Sequence, residues 1–74
     1  MQQWKKVSDR KFECIPDEDS RFVLAVELNQ HRLWLTLVDG EIIDRGKTYS
    51  TSQAAQRAAL TSYYDYWADF EDQG

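Results

Sequence analysis

A chain of 74 residues makes one small domain, 1–74, and its sixteen Leu, Ile, Val and Phe residues place it just above the composition of a disordered chain. Three Trp and four Tyr carry it into the foldable class, because each large ring buries roughly 150–250 Å². A net charge of −4 argues against indiscriminate binding to nucleic acid; the single cysteine, Cys14, permits no internal disulfide, and with the single histidine, His31, it cannot complete a Cys/His zinc set.

Residues 1–20 form a basic head. Within it Lys11 to Ile15 alternates Phe12 and Cys14 with Glu13 and Ile15, the pattern of a first strand, while Trp4 and Val7 suit a short strand or an anchoring arm. Pro16 and the polar residues 17–20 break the chain. Phe22, Leu24, Val26 and Leu28 then alternate with Arg21, Val23, Ala25 and Glu27, which predicts a strand over 21–28 with one strongly apolar face. A polar turn at Asn29-Gln30-His31 leads into a second alternation over 32–38, with Leu33, Leu35 and Leu37 on one side and Trp34, Thr36 and Val38 on the other.

Asp39-Gly40 is the pair that a two-residue type I′ hairpin requires, since both central positions take positive φ. It predicts a further strand over about 41–48, with Leu37 opposite Ile42, Thr36 opposite Ile43, Leu35 opposite Asp44 and Trp34 opposite Arg45. Ser50 and Gln53 make a capping box, and a helix is predicted from near Thr51 to the region 68–71 within a C-terminal unit spanning 50–71. Its apolar positions Ala55, Ala59, Tyr63, Tyr66 and Phe70, flanked by Leu60 and Trp67, form one wide stripe. The fold expected is therefore α+β, an antiparallel sheet of three or four strands with one C-terminal helix packed across its leucine face.

Charge is unevenly distributed. Residues 1–11 sum to +3, residues 12–57 to −3, and residues 58–74 carry Asp65, Asp69, Glu71 and Asp72 alone. There is no apolar run near the roughly 20 residues that span a bilayer, and the start, Met1 to Lys6, has no apolar stretch after its lysines, so the chain reads as cytoplasmic. No glycine-rich phosphate loop or metalloprotease helix is present, no cofactor or metal is implied, and Cys14 with His31 lacks the third, orienting group of a nucleophilic site. A non-enzymatic protein is expected.

Its ten aromatic residues exceed what so small a core needs, and aromatics anchor interfaces. The predicted contact surface is the distal helix, where Tyr64, Asp65, Trp67, Asp69 and Asp72 set rings beside carboxylates for a partner with a basic surface. Small acidic, aromatic-rich chains of this composition are similar to phage-encoded regulators that bind and inhibit host machinery. A second apolar surface, Trp34 and Ile43 beside Arg45, is predicted to be covered by the head or to pair with a second copy of the chain. The alternative function is nucleic-acid binding through Trp4, Lys5, Lys6, Arg10 and Lys11. The order of strands and helix also resembles the small three-stranded DNA-binding heads of phage integrases, which implies a basic sheet entering a groove; here the strands carry Glu27, Asp39, Glu41 and Asp44 against Arg32, Arg45 and Lys47.

Overall fold

The alternation read over 21–28 becomes a strand at Leu24–Leu28, and around it a computed structural model, which describes residues 4–16 and 20–67, builds an α+β fold. The strands are β1 (Trp4–Ser8), β2 (Lys11–Cys14), β3 (Leu24–Leu28), β4 (Trp34–Val38), β5 (Glu41–Ile42) and β6 (Thr48–Tyr49). They form one antiparallel sheet in the order β1-β2-β3-β4-β5, with β6 also pairing β4. Helix α1 (Ser52–Ser62) packs on β3 and β4 and continues as a π turn over Tyr63–Trp67. Three or four strands were expected, and two local events raise the count.

The first is that the basic head is part of the sheet. Trp4 pairs Cys14, Lys5 pairs Glu13 and Lys6 pairs Phe12, with a bulge before Ser8. The Arg10 amide donates to Ser8 Oγ at 3.2 Å, and the Arg10 carbonyl accepts from the Leu28 amide at 2.8 Å, which ties the turn to the end of β3.

The second is a break in the last predicted strand. Asp39 (φ 51°) and Gly40 (φ 84°) form the expected tight turn and bring Leu37 opposite Ile42. The chain then leaves the ladder: Asp44 (φ 58°), Arg45 (φ 56°) and Gly46 (φ 74°) all take left-handed backbone in a short 3-10 turn. It rejoins with Leu35 opposite Thr48 and Trp34 opposite Tyr49, in place of the predicted partners Asp44 and Arg45. The excursion is held from both ends. The Ile43 amide donates to the Thr36 carbonyl at 2.9 Å and Thr36 Oγ1 donates to the Ile43 carbonyl at 3.4 Å, while the Tyr49 hydroxyl donates to the Asp44 carboxylate.

At the start of α1 the cap is Thr51, whose Oγ1 accepts from the Ala54 amide at 3.1 Å, one residue beyond the predicted Ser50. Ala55 and Ala59 are fully buried and Tyr63 is 1% exposed, so the i, i+4, i+8 stripe faces the sheet. Phe70 and the predicted helix end lie outside the described residues.

The helix covers a different face of β4 from the one expected. Register sets Leu24 against Val38, Val26 against Thr36 and Leu28 against Trp34, so the leucine face of β3 is continuous with the Trp34, Thr36 and Val38 side of β4. One core cluster joins Cys14, Leu24, Val38, Ile43 and Tyr63, with Trp4, Phe22 and Leu60 against it. Another joins Val26, Ala55 and Ala59, with Trp4, Phe12, Trp34 and Tyr49. Of the surface predicted to be covered by the head or a second copy, Trp34 meets the head through Phe12, at 5.7 Å between ring centroids, while Ile43 is buried beneath the helix and Arg45 stands exposed in the 3-10 turn. Leu35 and Leu37 lie on the side that the helix leaves uncovered.

Candidate functional site

Strand alternation and register define the uncovered face. Across its middle run Lys5, Glu13, Ala25, Leu37 and Ile42; alongside run Lys11, Glu27, Leu35 and Thr48. Val23 and Asp39 extend it beyond the ladder: the Asp39 amide donates to the Val23 carbonyl at 2.9 Å, and the Val23 amide donates to Asp39 Oδ1 at 2.9 Å. Ile15, which follows β2, is exposed and continues the same side by alternation.

These residues arrange themselves into an apolar band that runs diagonally from Ile15 and Val23 through Ala25 and Leu37 to Leu35 and Ile42. Ile42 and Ile15 are each 57% exposed, whereas Ala25 and Leu37 between them are buried, at 5% and 8%. A groove of about 470 Å³ has Ala25 and Leu37 as its floor and Lys11, Glu13, Glu27, Val23, Asp39 and Gly40 as its walls. Lys11 Nζ lies 3.6 Å from Glu13 Oε2. Among the described residues Glu27 and Asp39 have no ion pair, so the walls are acidic on balance.

The second candidate surface is the distal helix. Tyr63 anchors it: its ring meets Phe22 edge-on at 6.4 Å and Tyr64 at 5.2 Å, and its hydroxyl lies 3.5 Å from Ser20 Oγ. Tyr64 is 46% exposed, and its hydroxyl donates to the Pro16 carbonyl at 3.5 Å. Asp65 is exposed. Trp67 ends the described part of the helix, and Asp69 and Asp72 lie outside the described residues.

The basic residues of the head do not converge. Trp4 is partly buried and packed against both core clusters, which engages its ring in the fold. Lys5 and Lys11 fall on the uncovered face, whereas Lys6 pairs across from Phe12 on the other, with its Nζ 3.2 Å from Asp9. Arg10 occupies the turn between β1 and β2. Cys14 and His31 stand apart as well: Cys14 is buried beside Leu24, and His31 lies in the turn beyond Leu28 at the other end of β3, a strand length of about 14 Å.

One interacting pair was not foreseen. The Asp44 carboxylate beside the Tyr49 hydroxyl accepts its hydrogen bond, and that bond, followed by burial and the carboxylate's charge, pushes the phenol up to about 12. Lys47 Nζ sits 5.5 Å from the Tyr49 ring centroid. The pair borders a shallow cleft of about 340 Å³ against Arg57, Thr61 and Ser62 of α1. Only the left-handed turn at 44–46 brings these side chains together, and nothing in residue spacing announces it.

Among the described residues no helix is long and apolar enough to cross a membrane. Comparison with protein-family models, with curated proteins and with solved structures gave no match.

Proposed function

We propose that the chain is a non-enzymatic module that binds another protein with a basic surface. The observation that carries this reading is the groove on the sheet face opposite the helix, where exposed Val23, Ile15 and Ile42 surround the buried Ala25 and Leu37 beside acidic walls. Exposed aliphatic side chains around a groove with a charged rim have the anatomy of a protein contact. The acidic C-terminal sequence, with Tyr64 and Asp65 followed along the chain by Trp67, Asp69 and Asp72, adds carboxylates that would speed encounter with a cationic partner.

The competing reading is nucleic-acid binding through the head. Support for it is weaker because Trp4 is partly buried against the core, Lys6 faces Asp9 and Lys11 faces Glu13, leaving little local excess of base for phosphate. Affinity capture from the source cells, run with the wild-type chain and with a Val23→Lys, Ile42→Lys variant, separates the two. Protein retained after nuclease treatment by the wild type and lost with the variant is the expected result. Retention of nucleic acid alone, abolished by neutralising Lys5, Lys6 and Arg10, would overturn the proposal.

A further inference from the structure

We infer that both edges of the sheet are closed to strand pairing, one by an in-phase insertion at 44–47 and the other by Lys5 and Lys6, and that the chain is thereby held monomeric. The inference stands apart from the function proposed above.

The insertion is read from register. In the ladder between β4 and β5, Leu37 faces Ile42 and Val38 faces Glu41. That register carries on to set Thr36 against Ile43, whose amide does donate to the Thr36 carbonyl at 2.9 Å. In the ladder between β4 and β6, Leu35 faces Thr48 and Trp34 faces Tyr49. Extended inward, this second register sets Thr36 against Lys47, so the two ladders differ by the residues 44–47. Their number is even, and side chains alternate with a period of two. Thr48 and Tyr49 therefore fall on the faces that Asp44 and Arg45 would occupy in an unbroken strand. Joining Ile43 directly to Thr48 would give one continuous outer strand with every face preserved.

The chain instead leaves the ladder through Asp44, Arg45 and Gly46, all in left-handed backbone, and two of these carry side chains that disfavour it. Strain at consecutive positions, in a segment that the strand does not need in order to continue, points to a purpose in the break itself. Its effect on the edge is direct. Strands β5 and β6 are two residues each, and the turn stands between them. An incoming strand finds no run of free N–H and C=O groups long enough to pair with.

The opposite edge is β1, which pairs among the described residues with β2 alone. It is five residues long, and Lys5, Lys6 and Val7 are exposed, so shape and charge must protect it. Val7 lies at the bulge between the Lys6 and Ser8 pairings, which adds local twist to the edge. Two β1 strands paired antiparallel in full overlap would set Lys6 against Lys6, and a slip of one residue toward the N-terminus would set Lys5 against Lys6. Like charges directly opposite each other are destabilising. Lys5 has no ion pair among the described residues, and the Lys6 contact with Asp9, at 3.2 Å, joins two exposed side chains that offset the repulsion only weakly. Nor can β1 of one copy add to the outer edge of another, since that edge offers only two-residue runs.

The test compares the wild type with a variant lacking 44–47 and with Lys5→Thr, Lys6→Thr, by analytical ultracentrifugation and amide hydrogen exchange. Threonine suits a strand and carries no charge. Both variants have a net charge more negative than the wild type's −4, so general charge repulsion works against association in each. The wild type is expected to stay monomeric at high micromolar concentration. Each variant, folded by circular dichroism, is expected to self-associate at least about tenfold more tightly than the wild type. New exchange protection should appear at 41–43 and 48–49 in the deletion variant and at 4–8 in the lysine variant.

Folded variants that remain monomeric would overturn the inference, as would a wild-type dimer whose β1 amides gain protection with concentration. Association with new protection away from these edges would overturn it equally. A deletion variant that does not fold would refute the in-phase insertion, leaving the lysine variant to decide its own edge.

Discussion

Ile42 and Ile43 are adjacent in sequence and opposite in environment, so replacing each by alanine tests which side of the sheet holds the core. Ile to Ala deletes three carbons, about 2.4 kcal/mol of transfer free energy at roughly 0.8 kcal/mol each. Ile43 is 7% exposed and packs with Leu24, Val38 and Tyr63, so nearly all of that is lost and a cavity remains beneath the helix. The expected cost for Ile43→Ala is about 3 kcal/mol, within the range for buried Ile to Ala. Ile42, more than half exposed, forfeits under half of the transfer energy and opens no cavity, which gives about 1 kcal/mol or less. In a domain of this size each kcal/mol lowers Tm by roughly 4–8 °C, so the two variants should separate by at least about 8 °C. Urea and thermal unfolding followed by circular dichroism and tryptophan fluorescence measure this. Because a core this small supplies only about 3–5 kcal/mol, Ile43→Val, expected to cost about 1 kcal/mol, compared with Ile42→Val, expected to cost about 0.3 kcal/mol, is the fallback if Ile43→Ala does not fold. An Ile42→Ala variant as destabilised as Ile43→Ala would refute the assignment of faces.

Thr51→Ala should cost about 1 kcal/mol and Ser50→Ala only a few tenths, because only Thr51 accepts from the first turn of α1; equal losses in urea unfolding would return the cap to Ser50. Tyr49 should ionise near 12 in an ultraviolet titration. Its folded value lies above the unfolded one near 10, so the neutral phenol's contribution is complete below pH 10 and is lost as pH rises toward 12; Tyr49→Phe should flatten that alkaline loss. Arg45→Gly should raise stability by up to about 1 kcal/mol by relieving a left-handed side chain, and Gly40→Ala should lower it by a similar amount, although open space surrounds the glycine. Unfolding midpoints that move in the same direction would show that backbone conformation does not govern these turns.

The parts of the fold set by short-range chemistry were legible in the residues. Alternation at Leu24 to Leu28, positive φ at Asp39-Gly40, and the Ala55, Ala59, Tyr63 stripe each reflect a local period or a local conformational demand. Which face of β4 joins the core was not legible, because Leu33, Leu35 and Leu37 are as apolar as Trp34, Thr36 and Val38. The choice is made by the turn after β3. Asn29 Oδ1 accepts from the His31 and Leu33 amides, Arg32 takes φ 62°, and the five-residue connection sets Leu28 opposite Trp34. Thr36 is fully buried at a cost that its hydrogen bond to the Ile43 carbonyl offsets. The acidic C-terminal sequence was legible as composition, whereas the groove around Ala25 and Leu37 required knowing the register.

The five strands along the main path of the sheet follow their order in the chain, each pairing with its neighbour in sequence. Such a meander closes only short loops, and low contact order favours rapid folding. Speed and endurance are separate properties here. A small core held against fast folding implies fast unfolding too, so opening and closing should be quick relative to proteolytic cleavage, and the chain's lifetime in a cell would follow the fraction open at equilibrium rather than the height of a barrier. A bound partner lowers that fraction by mass action, which makes abundance itself a readout of occupancy: copies without a partner would be degraded first.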